Sequence, residues 1–314
     1  MLRRLFPFLL ALGCATPAPP ASQTASPAPA TGASSATTAA AYRERFPTGQ
    51  APLDVQVLST QQHGSVSVVE LTYRGASGKA PVRATLVRPA ELPTGRVGLL
   101  WVHWLGEPET TNRTEFLDES IELAPAGVVS LLVDALWSAP DWYRKRAMDE
   151  DPAAFAAQVV DLRRGLELLT AQPDVDPARL GLVGHDFGAM TGMLAGVADG
   201  RPRVYVLLAL TPEFENWMFY SKNKKPTDEA AYRKQLALLD PIDALPGLGA
   251  PALFQLAEQD FYVPAEQIGA WRRAISGRGE LRTYPTGHGM EGAAVRSDRQ
   301  AWLADHLGFS RPRP

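Results

Sequence analysis

Hydrophobic residues along this chain fall into two patterns, short uninterrupted runs and longer stretches spaced by three and four. The segments 65–74 (SVSVVELTYR) and 82–89 (VRATLVRP) are rich in β-branched residues and are joined by the Gly/Ser-containing stretch 75–78, which predicts two early antiparallel strands. Residues 97–104 (VGLLWVHW) and 128–136 (VVSLLVDAL) are continuous apolar runs of strand length, as expected for strands covered on both faces in a parallel sheet. Phe155, Val159, Leu162, Leu166 and Leu169 then recur at helical spacing and predict a helix covering one face of that sheet. Asp151 is expected to cap it and Pro152 to fit its first turn. A central strand is predicted over 179–185 (RLGLVGH), followed by a helix whose Gly188, Ala189, Gly192, Ala195 and Gly196 would let it sit close against the sheet. Further strands are predicted over 203–210, 251–260 and 280–285, separated by helices around 228–239, 264–275 and 293–306. Strands alternating with helices indicate one doubly wound α/β domain that binds ligands at its strand ends.

Composition adds a large core and few partners. The 314 residues are 45% hydrophobic, enough to bury a sizeable interior, and the formal charge of -3 gives no basis for nucleic-acid binding. Lys222, Lys224 and Lys225 form the nearest approach to a basic cluster and read as a solvated loop. No glycine-rich phosphate loop and no cluster with metal-ligand spacing occurs, so neither a cofactor nor a metal is implied.

The N-terminal stretch MLRRLFPFLLALGC carries Arg3 and Arg4 ahead of an apolar run over 5–12, the pattern of a bacterial export signal. Cys14 is the chain's single cysteine and directly follows Ala11, Leu12 and Gly13, so it resembles the lipidated cysteine of a lipoprotein signal. Ala11 stands where such signals favour Leu, and an ordinary cleaved signal or an incidental apolar start are the alternatives. Residues 15–41 are nearly all Ala, Pro, Thr and Ser and predict a disordered tether, which would hold a domain beginning at 42 off a membrane surface in the bacterial envelope. The expected organisation is an export signal over 1–13, a tether over 14–41 and one folded domain over 42–314.

The candidate chemistry lies at three strand ends. Residues 184–188 (GHDFG) form a strand-to-helix turn at whose centre many hydrolases carry a serine nucleophile, and here that centre is Asp186. Asp260 ends the run ALFQLAEQD, and His288 lies in YPTGHGM just after the last strand. Nucleophile, acid and histidine in this chain order match the α/β-hydrolase order. From about 50 to 307 the chain resembles an α/β-hydrolase, and DVDPARLGLVGHDFGAM together with PALFQLAEQDFYVP is most similar to the dienelactone hydrolase and prolyl-oligopeptidase-like branch. The resemblance implies a mostly parallel central sheet with helices on both faces, with Asp260 orienting His288 as the base. Residue 186 departs from that branch, which carries Ser or Cys there, and resembles epoxide hydrolases and haloalkane or haloacid dehalogenases.

A carboxylate at this turn needs no base to activate it, and the helix N-terminus beside it favours the anion. Attack on an ester carbonyl would give a mixed anhydride that mostly reverts, whereas attack on an sp3 carbon bearing a halide or epoxide oxygen gives a stable alkyl ester that His288 could hydrolyse through a water. The expected oxyanion donors are the N–H groups of Phe187 and Leu105, one such donor being worth about 3 kcal/mol. Two features stand against this. Trp104 occupies a position where the related families carry glycine, and only the stretch 211–249 is present where Asp-nucleophile families insert a helical cap. Trp104, Trp217 and Tyr220 are candidates either for holding a leaving group or for walls of the substrate pocket. His103 and His185 read as structural, His63 and His306 as surface residues, and Asp134 is out of order for the triad acid. Three readings remain: Asp186 as nucleophile on a small-molecule substrate, Asp186 as general base on water, and a non-catalytic protein that binds a ligand or partner. The presence of both Asp260 and His288 favours activity.

Overall fold

The computed structural model describes residues 33–76, 80–91, 96–106, 113–220, 224–275 and 277–311, so the export signal, Cys14 and most of the expected tether lie outside the described residues. Within the stretch expected to be a tether, Ala33–Arg45 is a helix (α1). Alanine has the strongest helix propensity of all residues, and Arg43 and Arg45 in the last turn complement the helix dipole. Tyr42 in the last turn and Phe46 just beyond it are buried and fasten the segment to the core.

Among the described residues nine strands form one sheet: β1 Gln56–His63, β2 Val66–Tyr73, β3 Val82–Pro89, β4 Arg96–Val102, β5 Val128–Val133, β6 Val175–His185, β7 Val204–Leu208, β8 Ala252–Ala257 and β9 Glu280–Tyr284. Their order is β1-β2-β3-β5-β4-β6-β7-β8-β9. The first pairings are antiparallel, and every pairing from β5 to β9 is parallel. The sequence pattern misses β1 for a physical reason. Its residues QVLSTQQH are exposed on both faces, so it carries no buried alternation and is held by backbone pairing to β2 at the sheet edge.

The principal helices are α2 Leu117–Leu123, α3 Asp151–Thr170, α4 Phe187–Asp199, α5 Glu229–Leu236, α6 Ala265–Ile275 and α7 Ala293–Leu307. One core, on the face covered by α1, α3, α4, α5 and α6, collects Phe155, Leu162, Met193, Tyr232 and Trp271. The opposite face packs α2 and α7 through Leu123, Val295, Leu303 and Leu307. The segment after β7 is no separate cap: Phe214, Met218 and Leu236 are buried in the same core as α3 and α4.

Asp151 corrects another expectation. It is the first residue of α3, and the cap position belongs to Glu150, whose side chain makes no cap hydrogen bond. Its buried carboxylate is paired with the Arg146 guanidinium and accepts the Tyr232 hydroxyl at 2.7 Å, tying α5 to the start of α3.

Phe46→Ala is expected to cost about 3–5 kcal/mol, the range for truncating a fully buried aromatic. Urea unfolding measures it, and a loss near zero would mean that the end of α1 does not dock in solution.

Candidate active site

The strand-to-helix turn is built by close approach. A Cβ on Gly188 would lie 2.3 Å from the Val102 carbonyl oxygen, and one on Gly184 would lie 2.5 Å from the Gly188 oxygen, so neither flank admits a side chain. Between them Asp186 adopts φ 58° and ψ -125°. A non-glycine residue held there stores on the order of 1–3 kcal/mol of strain, and its surroundings must fix it. Here the Asp186 N–H donates to the Leu208 carbonyl at 2.9 Å, and its own carbonyl accepts the N–H groups of Ala189 and Met190. Its side chain is thereby presented at the carboxyl edge of the sheet.

Three loops converge on that side chain. Leu105, just past β4, donates its N–H to Asp186 Oδ2 at 2.9 Å. His288, in the loop between β9 and α7, places Nε2 3.9 Å from the same oxygen, an ion-pair distance too long for a hydrogen bond. Its Nδ1 donates to Asp260 Oδ2 at 2.8 Å. Asp260 lies three residues beyond the end of β8, not within it, and its Oδ1 accepts the N–H groups of Tyr262 and Val263 at 2.7 and 3.0 Å. Phe187 is the first residue of α4, a position whose N–H has no intrahelical partner.

Burial of His288 opposes its charged form, but the Asp186 and Asp260 carboxylates on either side outweigh this and raise it to about 9. At neutral pH the ring is therefore an imidazolium held between two carboxylates.

No protein-family model matches the chain. Among solved structures it is similar to the acetyl xylan esterase of Paenibacillus sp. R4, with 21% identity, a TM-score of 0.65, and 86% of this chain and 93% of that one covered. It is also similar to acetyl xylan esterase 1 of a Thermoanaerobacterium species, with 14% identity, a TM-score of 0.68, and coverage of 87% and 93%. A Klebsiella pneumoniae protein named as a dienelactone hydrolase matches with 15% identity, a TM-score of 0.57, and coverage of 77% and 99%. The chain has the α/β-hydrolase fold.

Within this fold, Asp186 and His288 face a cavity of about 830 Å3 whose walls are mainly aromatic. Trp104 does not block it. Its indole stacks in parallel on the His185 ring, 5.1 Å between centroids, and its backbone still presents Leu105 to Asp186. Trp217 is a wall, because its indole N–H donates to the Tyr262 carbonyl at 3.1 Å and its ring stands edge-on to His288 at 5.8 Å. Tyr220 is half-exposed in the cavity lining and packs against Tyr262.

His103 and His185 are held by the scaffold. Burial pushes His103 down and keeps it neutral, with Nδ1 donating to the Trp104 carbonyl and Nε2 accepting from Ala135 N–H and Ser138. His185 Nδ1 meets Glu115 and its Nε2 meets the His288 carbonyl, while Asp134 pairs with Arg113 at 2.7 Å, away from His288. Sequence reasoning missed Trp137, Trp142 and Tyr262 in the cavity wall and Glu115 behind it. Trp137 and Tyr262 lie four and five residues beyond the ends of β5 and β8, and their position in loops at the carboxyl edge was the available signal.

The raised His288 makes stability depend on pH. Its contribution is fully present below about 6.5 and is lost as pH rises through about 9, on the order of 3 kcal/mol. Urea unfolding between pH 6 and 10 should show this loss in the parent chain and a shallower one in His288→Gln. Parallel curves would show that the two carboxylates do not hold the ring charged.

Proposed function

We propose that this α/β-hydrolase opens small, neutral, apolar epoxides through a covalent ester on Asp186. The single observation that carries the reading is the Leu105 N–H hydrogen bond to Asp186 Oδ2. When a serine attacks an ester, the oxyanion forms on the substrate, and hole donors must await the substrate's oxygen. When a carboxylate is the nucleophile, the oxyanion of the second step forms on that carboxylate, so its donors engage it already in the resting protein. Leu105 does so, leaving Oδ1 to attack.

His288 supports the same reading by its charge. In the first step Oδ1 bonds to an epoxide carbon, the carbon–oxygen bond breaks, and the ring oxygen takes the Nε2 proton of the imidazolium. Asp186 is then a neutral ester and no longer holds the histidine charged, so the neutral ring can accept a proton from water. The hydroxide adds to the ester carbon, and the oxyanion develops on Oδ2 against the N–H groups of Leu105 and Phe187. Collapse releases the alcohol, which takes the proton of the new carboxylic acid. The diol leaves, with Asp186 ionised and His288 charged as at the start. A carbon–halide substrate fits less well, since a departing halide needs N–H donors and that of Trp217 is occupied by Tyr262. The aromatic walls favour an apolar substrate. The solved structures named as esterases support hydrolysis in general, and Asp186 is what redirects it from esters.

In the parent chain, a single turnover with a phenyl-bearing terminal epoxide quenched in acid is expected to show an adduct on the 180–190 peptide by intact-protein and peptide mass spectrometry, and His288→Gln, which lacks the proton donor of the first step, should form it far more slowly. Asp186→Asn should lower turnover at least about a thousandfold and give no adduct. For the parent chain, single turnover in heavy-oxygen water should label Asp186, and kcat/KM should fall tenfold per pH unit above about 9 as the proton donor is lost. Label in the product alone would favour Asp186 as general base. Absence of adduct and turnover with epoxides, haloalkanes and esters would favour the ligand-binding alternative.

We also propose export to the bacterial envelope with Cys14 as a lipid anchor, on the strength of the N-terminal pattern. Cys14→Ser should move the protein from the membrane to the soluble fraction, and unchanged membrane partition would remove the anchor.

A further inference from the structure

We infer that Glu115 is a positioning residue whose one carboxylate sets the oxyanion loop, the elbow and the histidine loop relative to one another, an assignment that rests on the reading of Asp186 and His288 as the reacting pair. Glu115 sits in the 3-10 turn Arg113–Phe116, which is fixed on both sides. Arg113 donates to Asp134 Oδ2 at 2.7 Å and Thr85 Oγ1 at 2.9 Å and pairs with Glu70, while buried Phe116 packs on the Trp101 ring at 4.9 Å. The carboxylate is thus mounted on a rigid piece of chain and is mostly buried.

Its two oxygens have different tasks. Oε2 accepts the Trp104 N–H at 2.9 Å, which orients the peptide leading into Leu105 and so the N–H that holds Asp186. Oε1 meets His185 Nδ1 at 2.6 Å, and the opposite ring nitrogen meets the His288 carbonyl oxygen at 2.8 Å. Both ring nitrogens of His185 therefore face oxygens, an arrangement met by a doubly protonated ring beside an ionised Glu115. Glu115 is the counterion of that ring. The Trp104 indole lying parallel over it, 3° between planes, closes off one face. Through His185 the carboxylate reaches the backbone of His288, and through Trp104 it reaches the donor to Asp186, so the 3.9 Å separation between His288 and Asp186 is set from behind.

Removing the charge while keeping the shape separates this role from simple packing. Glu115→Gln can keep an acceptor for Trp104 or for His185, but its amide N–H2 cannot accept from the other. Histidine-ring 15N NMR of the parent chain is expected to show hydrogen on both nitrogens of His185, assigned by comparison with His185→Asn. In Glu115→Gln one of them should lose it and the His288 signals should shift. Formation of the Asp186 adduct from the phenyl-bearing terminal epoxide should slow about 10- to 100-fold, as for other lost supporting hydrogen bonds, with the epoxide concentration at half-maximal rate changed less than about twofold. A parent chain with a singly protonated His185 overturns the assignment, even if Glu115→Gln fails to fold. So does a folded Glu115→Gln variant whose His288 signals are unmoved. No adduct in the parent chain would instead sink the covalent reading, and the NMR comparison would still decide whether Glu115 positions His288.

Discussion

The site depends on one constraint, the carboxylate of Asp186 held in a strained turn with one oxygen on a backbone N–H and an imidazolium beside it. A carboxylate buried to this degree would be expensive if it stood alone, since desolvation opposes charge. Leu105, the N-terminus of α4 and His288 offset that cost together. The strained backbone is held by β7 through Leu208 and by the first turn of α4, and the flanking glycines let α4 approach within contact of the end of β4. Loss of any one support would leave a buried charge, a strained turn or both without compensation.

The electrostatics of His288 follow from its neighbours. Two carboxylates on opposite sides of one ring favour the charged form more than burial disfavours it. Such a ring is a proton donor, and it turns into an acceptor only when one of the flanking charges is removed. Esterification of Asp186 is a reaction that removes one. The order of events in the proposed cycle is therefore written into the resting charges, without requiring any movement of the loops.

Around this centre the aromatic residues do two jobs that the sequence alone does not separate. Trp137, Trp142 and Trp217 build a wall whose polar edges face the scaffold where they face anything, as the Trp137 N–H does on the His103 carbonyl and the Trp217 N–H on the Tyr262 carbonyl. Tyr262 is placed by Asp260, whose two oxygens divide between its backbone and His288. The shape of the cavity and the orientation of the histidine thus share one carboxylate.

The sequence by itself determined the sheet's buried strands, α3, α4 and the turn between β6 and α4, because burial on both faces and helical spacing leave an unmistakable pattern of apolar residues. It also marked Asp186, Asp260 and His288 as residues at strand ends. It did not reveal β1, which buries nothing, or the helical end of the Ala-rich segment, which is fixed by Tyr42 and Phe46 docking far along the chain. Asp151 looked like a cap because capping is a local rule, while its partners Arg146 and Tyr232 come together only through folding. Glu115 carries no local signal, and Trp137 and Tyr262 carry only their place in the loops after β5 and β8. Their roles are contacts between residues 11 to 70 positions apart, and such contacts exist only once the sheet has brought its loops to one edge.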